Sequence, residues 1–263
     1  MLIKNKFMNA TNLKILAAIL MVLDHIHQMW AFDGAPIWLT WLGRLVFPMF
    51  LFAMSESFHY TRSRKKLMLR LFIASCLMSI GSMILAKLLP NENIVLMNNA
   101  FSTFFIASLY MLFYDLIKDG IKQKQPLKVI GGILLCFVPL LTALPMLMLL
   151  QSEAPSLWLT RIAILIPNIL MVEGGPMMVA LGLMFYIFRP WRWAQAASLA
   201  LVSAITFISA FMSQGTGSFQ WLMVFAAIPI LMYNGEKGRG MKNFFYIFYP
   251  AHIYLLYIIA PLT

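Results

Sequence analysis

The sequence predicts an all-α fold: a polytopic transmembrane helical bundle, single-domain over residues 1–263, with about nine crossings, one of them broken or re-entrant. Three observations predict it. Hydrophobic residues make up 62% of the chain and charged residues 11%, against about 45–50% and about 25% in soluble domains. The apolar residues fall in runs close to the length of about 20 that spans a hydrocarbon core. The Lys and Arg residues gather in alternate gaps between those runs, the pattern of cytoplasmic loops. That pattern also accounts for the net charge of +11, so no nucleic-acid partner is expected.

Taken in order, the expected spans are Leu13–Phe32, Ile37–Phe58, Leu67–Leu89, Ala100–Ile117, Leu127–Leu150, the broken region Leu157–Phe188, Ala196–Met212, Phe219–Tyr233 and Phe244–Leu262. The gaps "YTRSRKKLMLR" and "KDGIKQKQPLK" are strongly basic and read as cytoplasmic, whereas "PNEN" and "QSEAPS" read as external. If Leu157–Phe188 crosses once around a break at "PNILMVEGGPMM", the gaps "RPWRW" and "GEKGRGMK" also face inward. All Lys and Arg except Arg44, Lys87 and Arg161 then lie on the inner side, with the N-terminus inside and the C-terminus outside. Ten crossings is the alternative, and it sends "RPWRW" outward. Lys4, Lys6 and Lys14 precede an apolar run too long for a cleavable signal peptide. Cys76 and Cys136 sit singly inside apolar runs, so neither a disulfide framework nor a metal site is expected. The 21 methionines read as gap-filling packing residues.

Ionisable groups at membrane depth are costly and usually face a cavity or a partner. Asp24 and His25 lie about eight residues from the outer end of the first span, and Arg44 lies about eight residues into the second from the same side, so both sit roughly 12 Å deep. Adjacent antiparallel helices bring them level, and an Asp24–Arg44 ion pair follows. His25 points about 100° away from Asp24 around the helix; its imidazole, titrating near about 6.5 when unperturbed, suits proton transfer. Glu56 lies beyond a helix break expected at Pro48. Glu173 occupies the middle of the broken region, where bare backbone is tolerated only under protein cover or along a cavity. Asn98 and Asn99 open the fourth span as caps. His252 lies about eight residues into the last span, shortly after Pro250, where a carbonyl freed by a kink is one partner for its ring. The loop "YNGEKGRGMK", with Asn234, Lys237, Arg239 and Lys242, combines glycines and cations that suit phosphate groups; positive-inside topology explains the same charge.

The segments "LKILAAILMVLDHI", "GRLVFPMFLFAMSES", "VEGG" and "YNGEKGRGMKNFFYIFYPAHIYLLY" together resemble the TraX family, within a superfamily of multi-span membrane acyltransferases. The resemblance is weakest between Ile94 and Leu159. It implies a bacterial inner-membrane enzyme that moves an acyl group from cytoplasmic acyl-CoA, here acetyl-CoA, to an amine or hydroxyl. The acceptor is a pilin N-terminus, another protein, or a cell-surface glycan or lipid. By motif, the family's Asp-His falls on Asp24 and His25, its Gly-Arg on Gly43 and Arg44, and its C-terminal His on His252. His25 is then the base or transient acyl carrier, Asp24 orients it or holds Arg44, and Arg44 stabilises the oxyanion or binds the pantetheine arm. Arg189, Arg192, Lys237 and Lys242 would receive the phosphates of the donor. Two positions depart from the family pattern: His27 replaces a small or amide residue, and "SES" stands where Glu-Gly is commoner. The partners expected are membrane lipid, acyl-CoA and the acceptor, with a homo-oligomer compatible. Two other classes use the same residues: a proton-coupled permease built on Asp24, His25, Arg44 and Glu173, and an assembly factor that binds a partner without acyl-CoA.

Overall fold

The computed structural model describes residues 7–152, 156–212 and 218–260. Among them the structure is helical, and its extended pairing is an isolated bridge between Met8 and Tyr233. Helix α1, Ala10–Trp30, starts three residues before the expected span because Asn9 caps it: its side-chain oxygen accepts from the backbone N–H of Thr11 (3.0 Å) and of Asn12 (2.9 Å).

Proline sets most of the later breaks. A proline has no N–H, and its ring crowds the carbonyl four residues before it. The second span is α2, Trp38–Gly43, and α3, Val46–Tyr60, interrupted at Arg44–Leu45. The break therefore falls one turn before Pro48, at the carbonyl that Pro48 cannot serve. After α4, Arg64–Leu88, and α5, Ala100–Lys122, the same rule divides the next span. Helix α6, Pro126–Leu135, stops four residues before Pro139; α7, Val138–Leu141, stops four before Pro145; and α8 follows as Leu144–Leu150.

The expected broken region is α9, Leu157–Leu165, and α10, Gly175–Ile187. Between them Asn168 turns the chain by accepting from the N–H groups of Leu170 (3.2 Å) and Met171 (3.0 Å), and Gly174 and Gly175 take φ of +75° and +62°. Helix α11, Arg192–Met212, is continuous. A 3₁₀ turn, Gln220–Ala226, leads into α12, Ala227–Met232, and α13 runs Lys242–Ile259 with Pro250 inside it.

Six stretches are long and apolar enough to cross a membrane: Ala10–Trp30, Trp38–Tyr60, Arg64–Leu88, Ala100–Lys122, Pro126–Leu149 and Arg192–Met212. Gly175–Ile187, Gln220–Met232 and Asn243–Ile259 are shorter apolar helices, and a count of nine requires all three to cross as well. Ile19, Leu77, Leu134 and Phe207 are each more than half exposed on their helices. Such an apolar exterior suits lipid rather than water, and the chain is a multi-pass membrane protein.

The chain forms two compact units: Met1–Ser57, Ser82–Leu96 and Met184–Thr263 make the first, and Phe58–Gly81 with Met97–Leu183 the second. In the first, α1 packs on α2 and α13, and α11 packs on the 3₁₀ turn and α12. The buried stripe of α1 runs Leu13, Ala17, Met21, His25, Met29 at four-residue spacing, so His25 faces the interior with the packing residues. On α11 the buried hydroxyls of Ser198, Ser203 and Thr206 donate to carbonyls of their own helix at 2.7–2.8 Å, which satisfies them without partners elsewhere. In the second unit α5 packs on α6 through two glycines: a Cβ at Gly120 would meet Val129 Cγ2 at 2.9 Å, and one at Gly132 would meet Ile117 Cγ1 at 2.6 Å. Gly131, one residue away, faces open space.

Gly132→Ala should therefore destabilise the protein by about 1–3 kcal/mol through overpacking, while Gly131→Ala leaves stability unchanged or raises it slightly. Thermal unfolding in detergent distinguishes the two variants.

Candidate functional site

Two polar networks meet in the first unit, carried by adjacent residues of α1. The first is a histidine pair. His25 and His252 are 5% and 7% exposed, and His25 Nδ1 lies 2.8 Å from His252 Nε2. His252 Nδ1 is 2.7 Å from the carbonyl oxygen of Phe248, one turn back along α13. That contact fixes the tautomers, because a carbonyl oxygen only accepts. His252 carries its proton on Nδ1 and accepts at Nε2, so His25 donates from Nδ1. The basic lone pair of the neutral pair then belongs to His25 Nε2. The carbonyl used is not the one orphaned by Pro250, which is that of Tyr246; the ring answers its own i−4 carbonyl instead. The Phe248 ring stacks on the His252 imidazole at 4.8 Å and 10°, holding it in plane.

The second network joins α1 to α2. Arg44 Nη2 lies 3.2 Å from Asp24 Oδ1, and it donates to Thr40 Oγ1 at 2.6 Å. Thr40 in turn donates to Asp24 Oδ1 at 2.9 Å. Arg44 Nε donates to the Thr40 carbonyl, and Nη1 donates to Gln220 Oε1 at 3.3 Å. The helices come this close because Gly43 has no side chain: a Cβ there would overlap the Asp24 carboxyl group. The side chains of Arg44 and Asp24 stay 32% and 23% exposed, so the guanidinium has room for a ligand. Its charge also acts on His25, which links the two networks.

Of the residues singled out from sequence, Asp24, His25, Arg44 and His252 thus share one site. Glu56 and Arg192 form a different cluster in the same unit. Their charged atoms are 3.5 Å apart, and the Arg192 guanidinium packs on the rings of Phe52 and Tyr233, 4.9 Å from each centroid, the two rings meeting edge to face at 5.4 Å. Arg192 also donates to Gln195 Oε1 at 2.7 Å, and Gln195 donates to the carbonyl of Phe185. Arg192, expected from sequence to receive phosphate, packs against an aromatic pair beside a buried carboxylate. Arg189 is near enough for its charge to act on Glu56.

Asn234, Lys237 and Arg239 lie on the loop between α12 and α13, folded over the start of α1; the Lys242 side chain is outside the described residues. Asn99 and Glu173 meet in the second unit, where Glu173 Oε2 accepts the Asn99 backbone N–H at 2.8 Å and the Asn99 amide donates to Ser75 and Ser79. Asn99 also caps α5, as its position suggested, and Asn98 precedes it.

Sequence reasoning missed Thr40 and Gln220. Thr40 carried a signal, since it stands four residues before Arg44 on one helix face. Gln220 carried none. The His25–His252 contact was foreshadowed only by similar depths in two spans of the same direction.

Gly43→Ala should force α1 and α2 apart at Asp24 and lower stability by about 1–3 kcal/mol. An unchanged melting temperature in detergent would show that the helices do not approach this closely.

No curated protein and no solved structure matches the chain. A family model does: the one described as "TraX protein" matches residues 9–260, nearly the whole sequence and every residue of both networks. The chain therefore belongs to the TraX family.

Proposed function

We propose that this protein is an integral membrane acetyltransferase, with the N-terminus inside, that carries an acetyl group from cytoplasmic acetyl-CoA to an amine or hydroxyl acceptor. A pilin N-terminus, or a cell-surface glycan or lipid, is the acceptor class that family membership favours. The observation that carries the proposal is the hydrogen-bond chain from the Phe248 carbonyl through His252 to His25, which directs the lone pair to His25 Nε2. A nucleophile's base needs just such an orienting partner, and here a second imidazole supplies it.

In the reaction the acceptor's N–H or O–H gives its proton to His25 Nε2 as its nitrogen or oxygen bonds to the thioester carbonyl carbon. The carbonyl oxygen gathers negative charge, and the guanidinium of Arg44 stabilises it. The C–S bond then breaks, and the thiolate leaves as free thiol with the proton from His25. Asp24 and Thr40 hold Arg44 in place, while His252 is a positioning residue that fixes the tautomer of His25.

His25→Ala should lower acetyl-CoA-dependent labelling of acceptor by about 10²–10⁴-fold, the usual size of a general-base contribution. Full turnover in that variant would remove His25 from the mechanism. His252→Ala should reduce kcat while leaving the KM for acetyl-CoA unchanged, and His252→Gln, whose amide oxygen can accept from His25 Nδ1, should recover part of the loss. A permease using the same residues would release no CoA in either the parent or the variants.

A further inference from the structure

The loop between α12 and α13 presents a row of backbone donors whose orientation follows from the contacts on its other side. The carbonyl of Glu236 accepts from the N–H of Ala10 at 2.8 Å. The Thr11 hydroxyl lies 3.0 Å from the carbonyl of Lys237 and 2.5 Å from that of Arg239, its single proton shared between them. Three carbonyls of the loop therefore point at the first turn of α1. In a trans peptide the following N–H points the opposite way, so the N–H groups of Lys237, Gly238 and Gly240 face outward. Among the described residues, none of these three donates to a protein acceptor.

The surroundings suit an anion. Gly238 adopts φ +68°, and a Cβ there would collide with the Asn9 side chain, so this turn of the loop depends on glycine. Gly240 opens onto free space. The side chains of Lys237 and Arg239 are exposed on either side of Gly238. Lys14, on the second turn of α1 with its ammonium 5.8 Å over the Phe245 ring, is close enough to Lys237 for the two positive charges to act on each other. The loop's carboxylate, Glu236, is bonded back to the amide of Asn234 at 3.1 Å. The N-terminal donors of α1 itself are already used by Asn9 and by the Glu236 carbonyl. Outward N–H groups of a glycine-rich turn, flanked by cations, are the chemistry of a phosphate nest.

We infer that the loop Gly235–Gly240, with Lys14, is a phosphate-binding site, and, resting on the acetyltransferase reading, that it holds the nucleotide phosphates of the acyl-CoA donor. The same chemistry would accept the phosphate of an anionic lipid headgroup, so the experiment separates the two sources.

Binding of CoA and of pantetheine, which lacks the phosphates, is measured by titration on purified protein, with Lys237→Gln/Arg239→Gln and Lys14→Gln compared to the parent. Expected is a loss of CoA affinity of about tenfold or more in the double variant, unchanged pantetheine binding, and an unchanged melting temperature without ligand, since both side chains are exposed. In a parallel arm, stabilisation by phosphatidylglycerol over phosphatidylcholine nanodiscs is read for the same variants. Loss of that stabilisation with CoA affinity intact assigns the site to lipid headgroups and overturns the donor assignment. No change in either arm overturns the phosphate site altogether. The binding assay needs no turnover, so it stands or falls separately from the His25 labelling test.

Discussion

The hydrogen bond between His25 and His252 ties the first helix of the chain to the last, and the chemistry of the site depends on it. Two neutral imidazoles in apolar surroundings satisfy each other only in one order of protons, and the Phe248 carbonyl dictates that order. Without that carbonyl either ring could donate. With it, the Phe248 carbonyl, His252 and His25 form one directed hydrogen-bond chain. The same pair of helices is joined again at its other end, where the Thr11 hydroxyl and Ala10 N–H hold the loop before α13. One element thus fixes both the orientation of the ring and the shape of the basic loop.

Among the described residues, the carboxylates at membrane depth sit in polar clusters, as an apolar setting demands, although Glu56 Oε1 has an ion-pair partner and no hydrogen bond. Asp24 is matched by Arg44 and Thr40, and Glu173 by the N–H that opens α5, while Glu56 faces the charge of Arg192 at 3.5 Å. The clusters differ in openness. Arg192 packs on two aromatic rings with 19% of its side chain exposed, whereas Arg44 keeps 32% exposed. That contrast separates an arginine packed among aromatic rings from one with a more open side chain, and sequence position alone drew no such distinction.

Much of the helical plan was legible because run length and composition decide whether a segment can cross a bilayer. Breaks were legible in kind and displaced in place: Pro48 marked the interruption, but the carbonyl it cannot serve lies at Arg44, so the helix parts there. The Asp24–Arg44 pairing could be read from equal depth on neighbouring antiparallel helices. The environment of Arg192 could not, since Phe52, Glu56 and Tyr233 reach it from distant parts of the chain and nothing local announces them. Gln220 is a similar case. The starting point of α1 was misjudged because apolarity was weighed and the capping chemistry of Asn9 was not.

The bond between α1 and α13 also bears on how the protein is made. Translation delivers Asp24 and His25 first. Arg44 follows within the next helix, so the carboxylate finds its cation almost at once. His252, which His25 meets, follows only more than two hundred residues later, in α13. The histidine pair therefore forms late in synthesis, when α13 reaches its place beside α1.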